Sequence, residues 1–110
     1  MNDIFPERIT RVLCIGIETG ELPEWLNAAL RSGAMVIFME ADRARADAAR
    51  ARFDDPGNRI TVIAGDPKRM LYKLAGPFDV IVVDSADVSL QALLERLLAP
   101  NGIVIANARA

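Results

Sequence analysis

The chain has 110 residues, a length typical of a single domain, and a formal net charge of −2. Its hydrophobic share of 52% is enough to form a buried core, and the charge gives it no general attraction for nucleic acid or for anionic membranes. The chain contains no histidine, which excludes histidine-based nucleophilic triads and histidine zinc sites.

Five short apolar runs, nearly continuous and rich in valine and isoleucine, predict strands that are buried on both faces, as in parallel sheets. They cover residues 11–17, 35–40, 60–64, 78–84 and 102–107. Helices are predicted between them at residues 21–31, 42–53, 67–74 and 89–98. This alternation predicts a three-layer α/β fold, in which helices cover both faces of a doubly wound, mostly parallel five-stranded sheet.

The remaining composition bears on location. One cysteine, Cys14, allows no internal disulfide, and a reducing compartment fits that count. The first residues, MNDIFPERIT, do not have the pattern of a signal peptide, and no apolar run approaches the roughly 20 residues that span a bilayer. We therefore expect a cytoplasmic protein of one domain over residues 1–110, with no membrane or nucleic-acid partner.

The ends of the predicted strands carry the candidate site. The first strand runs into a turn with Gly16 and Gly20, and three later runs end in Glu40, Asp66 and Asp84. Open parallel sheets bind their ligands beyond the carboxyl ends of the strands, and Glu40 follows Gly20 by about the distance expected of an acid that binds ribose hydroxyls. The chain lacks the three-glycine dinucleotide fingerprint, and the acidic start of the next helix would repel a pyrophosphate.

Five segments in chain order carry a resemblance to a known family. They read VLCIGIETG, IFMEAD, VIAGDPKRML, PFDVIVVDSAD and LLAPNGIVIAN. Together they resemble the class I (Rossmann-like) S-adenosylmethionine-dependent methyltransferases, with the small O-methyltransferases of the catechol and caffeoyl-CoA type as the most similar subgroup. The resemblance extends from residue 11 to about residue 107, which is nearly the whole chain.

The resemblance implies S-adenosylmethionine as cofactor and a small molecule as methyl acceptor. The glycine turn would pass under the methionine part of the cofactor, Glu40 would hold the ribose, and Asp66 would approach the adenine. Asp84 is also the candidate catalytic residue, as a base or as a group that orients the acceptor. The residues expected to contact the cofactor are Gly16, Ile17, Glu18, Gly20, Glu40, Ala41, Asp66, Pro67 and Asp84.

Several of these residues also have a purely structural interpretation. The glycines could form a tight turn with no ligand. Glu40 could cap the helix that follows it, Asp42 is more readily such a cap than a ligand-binding residue, and Asp66 is equally suited to begin a short helix. Cys14, inside an apolar strand, is expected to fill the core.

Metal dependence is not expected. In the metal-dependent subgroup, an acid of the fourth motif acts with an Asp-Asn pair after the fifth strand. Asp84 matches the first position, but the pair falls on Asn107 and Ala108 or one residue earlier, so the oxygen set that Mg²⁺ requires is incomplete.

The predicted fifth strand bears on assembly. Family members continue beyond it into a further helix and a hairpin that completes the sheet, and this core lacks that hairpin. Ile103, Val104 and Ile105 would then form an apolar edge, which aggregates unless it is paired or covered. We expect either a homodimer joined at this edge or a chain that is part of a longer protein.

Two other functions remain open beside the methyltransferase. A degenerate methyltransferase fold could bind cofactor or a partner without catalysis, and the incomplete metal set favours that interpretation. An aminopropyltransferase would share the same order of strands and helices, but the sequence shows no polyamine site. Turnover with phenolic acceptors would separate the first two.

Overall fold

The computed structural model describes Pro6 and residues 8–16, 22–53, 59–83 and 90–106. Within these residues, strands and helices alternate along the chain. In order they are β1 (Arg11–Ile15), α1 (Glu24–Arg31), β2 (Met35–Glu40), α2 (Arg43–Phe53), β3 (Ile60–Ala64), α3 (Pro67–Met70), β4 (Phe78–Val83), α4 (Gln91–Leu97) and β5 (Leu98–Ala106), with a 3₁₀ turn (Leu71–Lys73) after α3. The predicted α/β fold is confirmed, and β2 and β3 have the predicted bounds.

The sheet has the order β3-β2-β1-β4-β5, and every neighbouring pair is parallel. The chain moves outward from β1 through β2 to β3, then returns across the sheet to place β4 on the other side of β1. The strand order therefore reverses between β1 and β4. This is the topological switch point at which doubly wound sheets bind ligands.

The core lies in two layers because successive residues of each strand point to opposite faces of the sheet. Val12 and Cys14 of β1 pack on the side of α1 and α2, whereas Leu13 and Ile15 pack on the side of α4 and the 3₁₀ turn. The uninterrupted apolar run of β1 thus follows from burial on both sides. The predicted three-layer arrangement is confirmed.

Helix α1 begins later than predicted. Residue 21 lies outside the described residues, and Pro23 precedes the helix rather than lying in its first turn. The carbonyl of Pro23 accepts from the amides of Leu26 and Asn27 at 3.0 and 3.1 Å. The helix ends in a Schellman arrangement around Gly33, whose φ is +96°.

The last two predicted helices are also shorter than expected. The segment 67–74 divides into α3 and the 3₁₀ turn, and α4 ends at Leu97 because Leu98 already pairs with Phe78 of β4. Residue 89, the predicted start of α4, lies outside the described part of the chain. Tertiary pairing, rather than local helix propensity, sets the end of α4.

The predicted start of β5 at residue 102 was wrong. The strand begins at Leu98, the predicted last residue of the helix before it, and contains Pro100 and Asn101, which lie between the predicted helix and the predicted strand. The strand contains a β-bulge. Phe78 pairs with Leu98 and Val80 pairs with Ile103, so β5 uses five positions where β4 uses two. A bulge admits turn-forming residues into a strand because its extra residues need no partner in the ladder.

The amino ends of β1 and β4 are joined by Asp79. Its Oδ2 accepts from the amide and hydroxyl of Thr10 at 2.7 and 2.8 Å and from the amide of Arg11 at 3.0 Å. The Arg11 guanidinium lies 4.5 Å over the ring of Phe78. Partial burial opposes ionisation of Asp79, but these donors and the Arg11 charge outweigh it and lower the pKa of the carboxyl.

Candidate functional site

The carboxyl ends of four strands lie along one edge of the sheet. Ile15 of β1 pairs with Met39 of β2 on one side and with Val83 of β4 on the other. Glu40, the last residue of β2, pairs with Ala64 of β3. The turns after these strands therefore meet at the edge where the strand order reverses.

Backbone hydrogen bonds hold two of these turns to β2. The amide of Gly16 donates to the carbonyl of Met39 at 2.8 Å, and the amide of Gly65 donates to the carbonyl of Glu40 at 2.9 Å. Gly16, Glu40 and Gly65 consequently form one row across the sheet edge. The row brings together the first three of the sequence motifs.

Gly16 has a φ of +84°, in the left-handed region that side chains disfavour. A turn of this conformation needs glycine, and the missing Cβ leaves the backbone open to close approach by a ligand. The other residues expected in this turn, Ile17, Glu18 and Gly20, lie outside the described residues. Their contacts with the cofactor stay predictions.

Among the described residues, Glu40 has the buried charged side chain, with 5% of its surface exposed. Burial of a carboxylate is costly unless donors surround it. Its Oε2 accepts from the amide of Asp42 at 2.8 Å, which fixes the side chain against the turn that follows β2. The position thus offers an oriented acceptor group at the sheet edge, with Ala41 exposed beside it.

Asp42 caps helix α2, as its structural interpretation predicts. Its Oδ1 accepts from the amides of Ala44 at 2.9 Å and Arg45 at 3.2 Å. These are two of the unpaired donors at the start of a helix. Because Asp42 holds this turn and its own amide binds Glu40, the cap of α2 also positions the Glu40 carboxylate.

Asp66 caps helix α3 through Oδ1, which accepts from the amide of Lys68 at 3.0 Å. Pro67 occupies the first turn of that helix, where its missing donor costs nothing. Asp66 is exposed and Pro67 is half-buried, both directly after β3. Asp66 therefore begins a short helix, as its structural interpretation predicts. Its contact with adenine stays a prediction.

Met70 is a neighbour of this edge that the sequence did not indicate. A Cβ on Gly65 would lie 2.6 Å from Met70 Cγ, so the methionine side chain fills the space above that glycine. Met70 is half-buried and packs against the core on the α4 side of the sheet. Met70 lies in the segment 67–74, which the sequence predicts to be helical after Gly65. Nothing in that pattern distinguishes Met70 from an ordinary core residue.

Asp84, the candidate catalytic residue, lies outside the described residues. In sequence it directly follows Val83, which pairs with Ile15 at the switch point. Within the described ranges, no group of three or more His, Cys, Asp or Glu side chains is placed to hold a metal ion. None of the described helices is long and apolar enough to cross a membrane.

Cys14 lies in β1, one residue before its end, and is 5% exposed. Burial raises the pKa of its thiol to about 12, so the side chain stays protonated at neutral pH. A protonated, inaccessible thiol is neither a nucleophile nor a metal ligand. Cys14 fills the core, as expected.

The fold and the row of turns at the switch point are those of a Rossmann-like core. No family model matches the chain. The sequence is 35% identical, over 109 residues, to the O-methyltransferase ankF of Aspergillus thermomutatus, a match that covers 91% of this chain and 46% of that relative. The chain therefore spans about half the length of the curated relative that it matches.

The solved structures that resemble this fold are also methyltransferases. The O-methyltransferase TomG of Streptomyces achromogenes, involved in tomaymycin synthesis and determined with S-adenosylmethionine, superposes with a TM-score of 0.74 at 25% identity, over 90% of this chain and 48% of its own. A methyltransferase of Geobacter sulfurreducens in complex with S-adenosylhomocysteine gives 0.66 at 25% identity, over 92% and 42%. The resemblance to class I S-adenosylmethionine-dependent methyltransferases is confirmed.

Proposed function

We propose that this chain is the cofactor-binding core of an S-adenosylmethionine-dependent methyltransferase of the O-methyltransferase type that acts on a small molecule. The observation that carries the proposal is the buried Glu40 carboxylate, held at the end of β2 in one row with the left-handed turn at Gly16. A buried carboxylate accepts hydrogen bonds only, and the vicinal hydroxyls of a ribose supply two donors. The similarity to methyltransferases supports the same assignment.

The residues fit the cofactor in kind. Gly16 admits close approach to the backbone, and Ile17, Glu18 and Gly20 would contact the methionine end. Glu40 and Ala41 would hold the ribose, while Asp66 and Pro67 would flank the adenine. When bound, S-adenosylmethionine supplies an electrophilic methyl group on a sulfonium centre. The protein then contributes mainly by orienting the acceptor and excluding water.

Isothermal titration calorimetry with S-adenosylhomocysteine tests the cofactor site. We expect micromolar binding by the 110-residue chain, and a roughly tenfold weaker Kd in Glu40→Gln, since hydrogen bonds to a charged group are worth about 1.5–3 kcal/mol. Glutamine keeps the shape of the side chain and an acceptor for the Asp42 amide. The variant therefore isolates the charge that would face the ribose.

Glu95→Gln is the matched control, because Glu95 is an exposed carboxylate on α4. It should bind S-adenosylhomocysteine like the unaltered chain. Equal weakening in both variants, or unchanged binding in Glu40→Gln, would refute the ribose-binding role of Glu40. Circular dichroism of each variant establishes that loss of binding is not loss of fold.

Asp84 is proposed as the residue that orients or deprotonates the acceptor. Asp84→Asn should lower kcat for methylation of a phenolic acceptor while the Kd for S-adenosylhomocysteine changes little. The split between turnover and binding distinguishes a role toward the acceptor from a role toward the cofactor. Equal turnover in Asp84→Asn would exclude the proposed role.

A second candidate function is that of a methyltransferase-fold module that binds cofactor or a partner without catalysis. Its support is that the chain matches about half of each relative, so the other half of those proteins has no counterpart in the match. Binding of S-adenosylhomocysteine with no methyl transfer to any of a panel of phenolic acceptors would favour this function. Transfer to one of them would exclude it.

Assembly and location complete the proposal. Among the described strands β5 pairs with β4 alone, and its Val104 is 43% exposed. We propose that this edge joins two copies in a homodimer or pairs with another part of a longer protein, since an uncovered apolar strand promotes aggregation. Size-exclusion chromatography with light scattering tests the dimer. A cytoplasmic location, proposed from the single buried Cys14, is tested by cell fractionation.

A further inference from the structure

The bulge of β5 contains an asparagine followed directly by a glycine. Asn101 is exposed and Gly102 is half-buried. Both fall between the last registered pair before the bulge, Phe78 with Leu98, and the first pair after it, Val80 with Ile103. The pair of residues therefore lies in an edge strand but outside its regular ladder.

We infer that Asn101 is a site of spontaneous deamidation. In this reaction the backbone nitrogen of Gly102 attacks Cγ of Asn101 and a carbon–nitrogen bond forms. The bond between Cγ and Nδ2 of Asn101 breaks, and Nδ2 leaves as ammonia with the proton that the Gly102 nitrogen loses. The resulting five-membered imide is opened by water at either of its two carbonyls. One opening yields aspartate and the other isoaspartate, and neither step needs an oxidant or a reductant.

The sequence and the structure both favour the reaction at this position. A side chain on the following residue obstructs the attack, and Gly102 has none. A regular strand holds the chain extended and uses its amides in the ladder, but the register passes over residues 99–102. Exposure of Asn101 admits the water that the second step consumes.

Asn27 shows the opposite environment in the same chain. It lies within α1, it is followed by Ala28, and its Nδ2 donates to the carbonyl of Leu22 at 3.3 Å. The helix fixes its backbone, and the methyl group of Ala28 obstructs the approach of the next nitrogen. Asn27 is therefore an internal control for Asn101.

The products would disturb the pairing of β4 with β5. A Cβ on Gly102 would already lie 2.9 Å from the carbonyl oxygen of Asp79 and 3.0 Å from that of Phe78, so the backbone has no room to move inward. Isoaspartate adds a methylene group to the main chain next to this contact. Either product also places a carboxylate in a strand that carries no charge between Leu98 and Ala106.

The test is peptide mapping by mass spectrometry of the folded chain, incubated at 37 °C at neutral and mildly alkaline pH. We expect conversion at Asn101 to exceed that at Asn27 by at least an order of magnitude, to rise with pH, and to yield both aspartate and isoaspartate. A reference sample unfolded in urea reports the reactivity of the unprotected sequence. The inference is overturned if Asn101 stays intact in the folded chain while it converts in the unfolded reference.

A second measurement examines the structural consequence. The thermal midpoint of the incubated protein should fall as the isoaspartyl fraction grows, because β5 loses its fit against β4. Asn101→Gln, whose longer side chain cyclises far more slowly, should keep its midpoint over the same incubation. An equal decline in the Asn101→Gln variant would exclude deamidation at Asn101 as the cause.

Discussion

The amide of Gly16 donates to the carbonyl of Met39 over 2.8 Å, and this bond ties the turn after β1 to the residue that precedes Glu40. The backbone that would receive the methionine part of the cofactor and the carboxylate that would hold its ribose are thereby fixed relative to each other. A substitution at Gly16 should therefore affect the conformation at Glu40, and a substitution at Glu40 should affect the turn at Gly16. The site is in this respect one rigid unit rather than two loops.

Gly16→Ala tests this unit. A side chain at a φ of +84° costs about 1–2 kcal/mol, and the turn can relieve that strain only by rotating away from Met39. We expect a lower thermal midpoint together with weaker binding of S-adenosylhomocysteine, measured by calorimetric titration and thermal unfolding.

Gly33→Ala is the matched control. Gly33 also has a left-handed φ, of +96°, and a Cβ there would meet nothing within 4 Å, but it lies at the far end of α1. It should lose similar stability without losing affinity. If both variants lose affinity equally, Gly16 acts on binding through global stability alone.

Asp79 should make stability depend on acid pH. Its pKa is lowered in the folded protein, so its contribution is fully present above the unfolded value, about 3.9, and is lost as the pH falls through the folded value. Asp79→Asn should lower the free energy of unfolding by about 1–2 kcal/mol at pH 7, in the lower part of the range for charged hydrogen bonds because water partly screens the site. The difference should begin to narrow as the pH falls below the unfolded value and should vanish below the lowered pKa of folded Asp79. Urea titrations across this range measure it.

Asp47→Asn serves as the control for Asp79. Asp47 is exposed on α2 and lies 3.6 and 3.8 Å from the guanidinium groups of Arg50 and Arg43, distances typical of weak surface pairs. It should change stability by less than about 0.5 kcal/mol at any pH. A pH-independent effect of Asp79→Asn would show that its carboxylate charge does not stabilise the fold.

Gly102→Ala should destabilise the protein by about 1–3 kcal/mol, because the added methyl group meets backbone oxygens of β4 that cannot move without opening the sheet. Gly65→Ala meets only the side chain of Met70, which can change rotamer, so its cost should be smaller. Differential scanning calorimetry compares the two midpoints. A larger loss in Gly65→Ala would mean that Met70 is fixed more firmly than the β4 backbone.

Cys14 should not react with thiol reagents in the folded protein. With its pKa raised to about 12 by burial, almost none of the reactive thiolate exists at pH 8. With an aromatic disulfide reagent, we expect no release of the coloured aromatic thiol until urea is added. One equivalent per chain should then be released. Rapid labelling without urea would mean that β1 separates readily from its neighbours.

Much of the architecture could be predicted from the sequence because strands buried on both faces leave continuous apolar runs. The bounds of β2 and β3 follow directly from those runs. The cap of α2 at Asp42 could also be predicted, since the short acid precedes a segment rich in alanine and arginine. These are local signals, and they agree with the fold.

The early start of β5 and the role of Asp79 could not be predicted, because both depend on partners far along the chain. Leu98 becomes a strand residue through pairing with Phe78, although Pro100 and Asn101 beside it favour a turn. Asp79 accepts a hydrogen bond from Thr10, 69 positions away. In the sequence Asp79 is a single charged residue in an apolar run, and nothing there indicates this partner. At the candidate site, sequence spacing indicated Glu40, but the role of Asp42 in positioning it required the structure.

The position of β4 between β1 and β5 has a consequence for biosynthesis. As the chain leaves the ribosome, β1 can pair at once with β2, but its other edge must wait until the segment 78–83 has been made. During that interval the half formed by β1, β2 and β3 exposes the open edge of a strand with four buried apolar residues, Val12 to Ile15. Because unpaired apolar strand edges promote aggregation, we expect the nascent chain to be most prone to aggregation before β4 has been made.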